Sequence, residues 1–348
     1  MKKSVLSLTI LSIIFPLTAC NQPSKTYFSL WNKREGSALE TLIAYVEDVT
    51  NKSSKNYIPV KDRIATFDMD GTFIGELYPT YFEYNMLEYR AFDDPTYTVK
   101  DASVVAAAQN IRDFVREGTP LPDHFDLVHA HAAAKAYAGM TISEFDAYVK
   151  EYAKKTPNGF TGMTFSTSFY KPMLEVFDYL KDNDFTYYVV SGSDRFICRA
   201  LVNSLGIEPQ YVIGMDVTLK ATGQGDQDGV DYTYTLTDKL IRTDELVIKN
   251  LKTNKVKQIM TDIGKVPVLS FGNSSGDCAM HNFCMQNSQY KSSAFMLVAD
   301  DDQRDHADLE EGARRQAKWV EAGYNIISMK NDFKTIYGDG VEKVPFHF

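Results

Sequence analysis

The sequence predicts an α/β protein with a three-layer, Rossmann-like parallel sheet core and an inserted helical cap domain. After residue 172, short apolar segments alternate with amphipathic helical segments, which is typical of crossover units that build a parallel sheet covered on both faces. An earlier strand-like segment occupies residues 64–67, and from there to the alternating region the apolar residues have helical spacing. We therefore expect residues 60–77 and 173–348 to form the core and residues 78–172 to form the cap.

Apolar spacing and end signals predict three helices before the alternating region. Residues 36–50 place leucine, isoleucine and valine at the spacing of one helix face. The two clearest helices of the cap begin after Asp101 and after Thr141, both of which are suitable N-caps. Glu144 stands three residues after Thr141, as in a capping box.

The core elements follow one another in a regular order. They are a helix with Pro172 in its first turn, a strand at 185–190, a helix ending at Gly206, a strand at 211–214, a helix ending at Gly264, and strands at 266–271, 294–299 and 324–329. Residues 221–241 interrupt this order, because glycines followed by alternating tyrosine and threonine indicate a β-hairpin. In open sheets of this kind, ligands bind beyond the carboxyl ends of the strands.

The N-terminus has the pattern of a bacterial lipoprotein signal. Two lysines precede an apolar run that is too short to span a membrane, and small residues follow it. The end of this run resembles a lipobox, in which the cysteine is lipidated; the alternative is a plain cleaved signal. We expect residues 1–20 to be a signal peptide, Cys20 to carry the lipid, and residues 21–59 to form a tether and the N-terminal helix. The protein would then be exported and lipid-anchored to a bacterial membrane, at the outer membrane or the periplasmic face.

Composition excludes two classes of protein. The chain has 37 lysine and arginine residues against 46 aspartate and glutamate residues, a formal net charge of −9. This acidic balance argues against a nucleic-acid partner, which requires a basic surface. Three cysteines besides Cys20 are too few for a disulfide scaffold, and their odd number prevents complete internal pairing.

Two carboxylates stand at the end of the first strand, in the sequence IATFDMDGT. A carboxylate at a strand end can attack phosphorus, and Asp68 is placed for that reaction. Asp70 lies two residues on, where it could protonate a leaving alkoxide and then deprotonate a water molecule. Two neighbouring acids at a buried strand end repel each other unless a cation lies between them, and Mg²⁺ prefers such oxygen ligands.

Three further segments complete a pattern with this pair. Ser191 and Gly192 follow the second core strand, Lys255 opens a helix, and the sequence GNSSGD (272–277) follows another strand. The four segments, in this order, resemble the signature motifs of the haloacid dehalogenase-like hydrolases, specifically the phosphoserine-phosphatase-like branch. The resemblance covers residues 60–77 and 165–335.

The resemblance implies a Mg²⁺-dependent phosphatase that hydrolyses small organic phosphomonoesters through an aspartyl-phosphate. It implies catalytic roles for Asp68, Asp70 and Lys255. It implies a magnesium site formed by the Asp68 side chain, the Asp70 backbone carbonyl and Asp277. The phosphate-binding residues that it implies are Thr72, Ser191, Gly192 and Asn273. The expected partner is a small phosphorylated metabolite.

The chain departs from the branch at several positions. Gly272 is followed by Asn273 where phosphoserine phosphatases usually have aspartate, and Ser193-Asp194 replaces their usual Gly-Phe. Glu76 lies about one residue from the position of the acid that holds the substrate amine in those enzymes. Phosphoserine is therefore one expected substrate, and phosphocholine or a related head-group phosphate is the alternative.

Other interpretations remain open at this point. A dehalogenase would have no need of Asp70, and a phosphoryl-transferring mutase would need a sugar-phosphate acceptor. A non-catalytic surface lipoprotein that kept the fold is the alternative from another class. The aromatic residues of 78–97 are explained most simply by packing within the cap, and a cage for a quaternary ammonium group is the second interpretation. Several other lysines lie near Lys255, so its assignment depends on the resemblance.

Overall fold

The computed structural model describes residues 26–76, 78–98 and 101–348. The predicted signal peptide and the lipidation site Cys20 lie outside these residues, so both stay predictions. Among the described residues, no helix combines the length and the apolar character needed to cross a membrane.

A seven-stranded, mostly parallel sheet forms the centre of the molecule. The described residues form nine strands: β1 (Ile64–Phe67), β2 (Phe160–Thr161), β3 (Thr186–Asp194), β4 (Val212–Ala221), β5 (Leu240–Ile248), β6 (Leu269–Gly272), β7 (Ser293–Val298), β8 (Asn325–Ser328) and β9 (Glu342–Lys343). The order in the large sheet is β5-β4-β3-β1-β6-β7-β8, and only β5 runs antiparallel to its neighbour. Strands β2 and β9 form a separate antiparallel pair.

Helices flank the sheet and fill the insertion. They are α1 (Ala38–Thr50), α2 (Phe82–Phe92), α3 (Ala102–Glu117), α4 (Phe125–Ala136), α5 (Ile142–Tyr152), α6 (Lys171–Asp182), α7 (Arg195–Val202), α8 (Thr253–Asp262), α9 (Cys278–Met285), α10 (Leu309–Glu321) and α11 (Met329–Asp332). Asp101 and Thr141 cap α3 and α5, and Glu144 completes the capping box of α5. The predicted fold class, a parallel α/β core with a helical insertion, is confirmed.

Strand β1 is the middle strand of the large sheet, and all four of its residues are buried. The ring of Phe67 stacks on that of Phe271 in β6, with centroids 4.3 Å apart and planes 5° apart. The backbone N–H of Asp68 donates to the Phe271 carbonyl (2.9 Å), which holds the first residue after the strand in line with the sheet. The carboxyl end of β1 is thereby flanked by the equivalent ends of β3 and β6.

The hairpin predicted at 221–241 pairs different residues from those expected. Strands β4 and β5 form the antiparallel pair, and the tyrosine-threonine alternation belongs to the loop between them. This loop is organised by Asp238, whose carboxylate accepts hydrogen bonds from the backbone N–H groups of Gly223 (2.7 Å) and Thr235 (2.8 Å). Tyr232 and Thr235 side chains donate to the same carboxylate, so local polar bonds replace a strand ladder.

The insertion, helices α2 to α5, is attached to the outer edge of β5. The backbone N–H of Arg242 in β5 donates to the Met140 carbonyl (2.9 Å), and the backbone carbonyl of Arg242 accepts from the N–H of Gly139 (2.8 Å). The Arg242 guanidinium lies 3.9 Å from the ring centroid of Phe145 in α5. Its side chain also pairs with Asp194 at the end of β3, so one buried arginine joins the insertion to the core.

Candidate active site

The turn after β1 presents two aspartates at the edge of the sheet. Asp68 and Asp70 are each only 7 % exposed. The carbonyl of Met69 accepts from the N–H groups of the three residues that follow Gly71, which closes a tight turn. Gly71 itself has φ +73°, a conformation that favours glycine. The turn therefore fixes both carboxylates at the carboxyl end of the central strand.

Lys255 links Asp68 to Asp277. Its Nζ donates to Asp68 Oδ1 (2.5 Å) and to Asp277 Oδ1 (2.6 Å), and the lysine is 1 % exposed. It lies in the first turn of α8, and Asp277 is the N-cap of α9. Asp277 Oδ2 accepts from the backbone N–H groups of Asn273 (3.1 Å) and Ser274 (3.0 Å), which orients the carboxylate.

Asp70 has a partner that the sequence motifs did not include. Ser193 Oγ donates to Asp70 Oδ2 (2.7 Å), whereas Asp70 Oδ1 is buried without a hydrogen-bond partner among the described residues. Burial raises the pKa of Asp70 to about 6, although the hydrogen bond from Ser193 opposes this rise. A carboxyl group with a pKa near neutrality is suited to both donating and accepting a proton.

The four predicted phosphate-binding residues divide into two pairs. Gly192 and Asn273 line a cavity of about 180 Å³ that also contains Asp68, Asp70 and Lys255. Thr72 and Ser191 are fully buried next to it. The Thr72 hydroxyl donates to Asn273 Oδ1 (3.3 Å), and Ser191 Oγ accepts from the N–H of Ser193 (3.0 Å). In this structure their side chains support the residues that line the cavity.

Sequence reasoning missed most of the wall contributed by the insertion. The cavity-lining residues that it did not assign are Tyr81, Glu83, Tyr84, Asp126, Ser193, Lys249, Leu251 and Ser274. Glu83 on α2 accepts from Lys249 Nζ (2.9 Å) and from the N–H of Asp194 (3.1 Å), and it is 5 % exposed. The only signal for Glu83 in the sequence is an acid inside an aromatic helix.

His129 is fully buried behind this wall. Its Nδ1 lies 3.6 Å from Glu83 Oε1, and its ring lies 4.3 Å from that of Tyr84. Burial lowers the pKa of His129 to about 4, so the imidazole is neutral near pH 7. Its contacts are those of a packed side chain beside an ion pair.

Among the described residues, six carboxyl groups and two lysines line the cavity. Burial, then the Asp277 carboxylate, raises the pKa of Asp68, and Lys255 opposes this rise. Burial, followed by the Asp70 carboxylate, raises the pKa of Glu76 to about 8. Burial disfavours the charged form of Lys255, but the Asp277 and Asp68 carboxylates outweigh it and raise the pKa of the ammonium.

These residues fit a hard divalent cation. Within the described ranges, no three His, Cys, Asp or Glu side chains cluster as a complete metal-binding group. Mg²⁺, however, needs only one or two carboxylates and otherwise keeps water and substrate phosphate as ligands. Asp68 and Asp277 meet that need, and one oxygen of Asp70 in the same cavity is buried without a hydrogen-bond partner among the described residues.

Gly71 gives a test of how closely the turn is packed. An alanine Cβ there would lie 2.0 Å from Asn273 Nδ2 and 2.5 Å from Glu76 Cδ. We expect Gly71→Ala to lower the catalytic rate at this site on the order of 10²-fold, because the side chains that line the cavity must move. Gly118→Ala is the matched control, since Gly118 has φ +69° but no atom within 4 Å of the added Cβ. Gly118→Ala should lower the free energy of unfolding by about 1–2 kcal/mol and leave catalytic activity unchanged. Equal catalytic activities of the two variants would contradict the close packing around Gly71.

The chain shares its fold with a solved structure of low sequence identity. A conserved functionally unknown protein from Anaerococcus prevotii DSM 20548 is 16 % identical, with a TM-score of 0.50 over 87 % of this chain and 94 % of that chain. Cytosolic 5′-nucleotidase IIIB bound to cytidine is 11 % identical, with a TM-score of 0.47 over 88 % of this chain and 89 % of that chain. A phosphoserine phosphohydrolase-like protein from Francisella tularensis subsp. tularensis SCHU S4 is 13 % identical, with a TM-score of 0.40 over 75 % and 99 %. No family model and no curated protein matches the sequence.

Proposed function

We propose that this protein is a phosphatase of the haloacid dehalogenase superfamily that hydrolyses small organic phosphomonoesters. The observation that carries the proposal is the bridge of Lys255 between Asp68 and Asp277, beside Asp70, at the carboxyl ends of parallel strands. A ligand in such a sheet binds at this edge. The four segments of the motif pattern lie around one cavity of about 180 Å³, a size that suits a small substrate.

The first chemical step assigns the nucleophile and the acid. An Asp68 carboxylate oxygen attacks phosphorus, the phosphorus–oxygen ester bond breaks, and an aspartyl-phosphate forms. Asp70 gives its proton to the leaving alkoxide, which departs as an alcohol. Lys255 is held against Asp68 by Asp277 and supplies fixed positive charge near the transferred group, where charge stabilisation provides most of the rate.

The second step restores both aspartates. Asp70, now a carboxylate, takes a proton from water, and the oxygen of that water attacks the phosphorus of the aspartyl-phosphate. The bond between Asp68 and phosphorus breaks, and inorganic phosphate leaves. Ser193 holds Asp70 through Oδ2 in both steps, so Oδ1 is the oxygen that is free to handle the proton.

Asp68 and Asp277, with the backbone carbonyl of Asp70, would hold Mg²⁺. When bound, the ion neutralises the charge of the phosphoryl group and of the carboxylates around it. A bound cation would also account for the excess of acids over lysines in the described cavity lining, where five acids besides Asp126 face two lysines. Those acids are Asp68, Asp70, Glu76, Glu83 and Asp277.

Phosphate release from a panel of small esters tests the proposal. The panel includes phosphoserine, a sugar phosphate, a nucleoside monophosphate and phosphocholine, each with Mg²⁺ and with excess EDTA. We expect at least one ester to be hydrolysed with Mg²⁺, at least about 10²-fold more slowly after chelation, and at the original rate when Mg²⁺ is restored. No hydrolysis of any ester would favour the non-catalytic alternative, and full activity in EDTA would exclude the magnesium site.

A further inference from the structure

The wall of the cavity that comes from the insertion is aromatic and acidic. Tyr81 and Tyr84 lie on one turn at the start of α2, and their rings make an edge contact with centroids 5.3 Å apart and planes at 77°. Asp126 lies in the first turn of α4 and lines the same cavity. This wall belongs to the insertion, whereas the reacting aspartates belong to the sheet edge. It is therefore suited to contact the alcohol part of a substrate.

Neither lysine that lines the cavity among the described residues is free to bind an anionic leaving group. Lys249 Nζ is 2.9 Å from Glu83 Oε1, and both side chains are at least nine-tenths buried. Lys255 is held between Asp68 and Asp277 at the sheet edge. Both lysines therefore already have carboxylate partners, and a leaving group with its own negative charge would meet no unpaired cation among the described residues that line the cavity.

In contrast, the Asp126 carboxylate is available to a cationic group of the substrate. It makes no hydrogen bond or ion pair with any residue in the part of the chain that the structure describes, although it faces a cavity. A carboxylate beside aromatic rings attracts a cation by its charge, and the ring faces add cation–π attraction. Alkylated ammonium groups suit such walls because they have few or no N–H donors to satisfy and present a broad, weakly hydrated surface.

We propose that the leaving group of the substrate carries an alkylated ammonium group, which contacts Tyr81, Tyr84 and Asp126. The inference rests on the proposed phosphatase function and adds to it the chemical class of the substrate. The substrate is then zwitterionic: its phosphate lies at the sheet edge with Lys255, and its ammonium group lies at the insertion wall. The small cavity restricts it to a short aminoalcohol phosphate.

A pair of isosteric esters tests this inference. Phosphocholine is compared with its neutral carbon isostere, in which a tert-butyl group replaces the trimethylammonium group and the reacting end is unchanged. We expect kcat/KM to be about 10- to 30-fold higher for phosphocholine, as the loss of a desolvated cation–π and charge contact predicts. Equal or higher kcat/KM for the neutral ester would overturn the inference.

Variants connect the preference to the wall. Asp126→Asn and Tyr84→Leu should each lower kcat/KM for phosphocholine at least about threefold more than for the neutral isostere. Asp123→Asn, an exposed aspartate outside the cavity lining, is the matched control and should leave the ratio unchanged. An unchanged ratio in both wall variants would also overturn the inference.

The two proposals fail in different ways. If other esters of the panel are hydrolysed and phosphocholine is not, the ammonium class is wrong and the phosphatase function stands. If no ester of any class is hydrolysed in the presence of Mg²⁺, the phosphatase function is wrong, and the inference is overturned with it.

Discussion

Asp68→Asn is expected to lower kcat on the order of 10⁴-fold or more, which is typical of losing a nucleophile. The amide has nearly the same shape as the carboxylate but is not a competent nucleophile toward phosphorus. The fold should persist, because the backbone N–H of residue 68 still donates to Phe271 and Lys255 keeps its bond to Asp277. Steady-state phosphate release from the best ester of the panel is the measurement.

A control separates lost chemistry from lost structure. Asp62→Asn changes the same residue type just before β1, where the carboxylate pairs with Lys265 at the surface. Exposed pairs contribute about 0–1 kcal/mol, so this variant should keep wild-type kcat and nearly the wild-type thermal midpoint. Activity of Asp68→Asn within tenfold of wild type would remove Asp68 as the nucleophile.

Arg242→Met is expected to lower the free energy of unfolding more than Gly118→Ala or Asp62→Asn does. The guanidinium Nη2 lies 2.6 Å from Asp194 Oδ2, and neither side chain is more than 3 % exposed. Removing the arginine leaves the Asp194 carboxylate buried without its partner, which costs about 3–5 kcal/mol. The free energy of unfolding, from equilibrium denaturation in urea, measures the loss.

Two further variants check the cause of that loss. Adding Asp194→Asn to Arg242→Met should recover part of the stability, because no uncompensated carboxylate stays buried. Asparagine can still cap α7, where the Asp194 side chain accepts from the N–H of Phe196. Arg314→Met, which breaks an exposed pair with Glu311, should cost less than about 1 kcal/mol. A cost below about 1 kcal/mol for Arg242→Met would contradict the role assigned to this arginine.

The core was predictable because its parallel strands are buried on both faces. Such strands read as short apolar runs, as in residues 64–67 and 294–299, and the helices between them keep a clear apolar face. Strand β5 was missed because it lies at the edge of the sheet. Its residues LIRTDELVI are mostly partly or fully exposed, so no apolar run marks it.

The predictable residues of the candidate site lie at or just after strand ends, except Lys255, which lies in a helix and whose assignment depended on the resemblance. Asp68, Asp70 and Gly192 belong to local patterns that the sheet brings to one edge. Glu83 and Lys249 are 166 residues apart in the chain, and neither stands in a recognisable motif. Their contact depends on how the insertion packs on the core, which periodicity does not encode. The aromatic wall was visible as composition, but its orientation toward the cavity was not.

Trapping the covalent intermediate tests the central claim most directly. With p-nitrophenyl phosphate, whose leaving group departs without protonation, the Asp70→Asn variant should form the aspartyl-phosphate and hydrolyse it slowly, because the group that deprotonates water is lost. Acid quench after mixing with substrate and Mg²⁺, followed by peptide mass spectrometry, should locate a phosphoryl adduct on Asp68, and Asp68→Asn should give none. An adduct on another residue, or substrate turnover by the wild-type protein with no adduct at any quench time in either protein, would contradict the account.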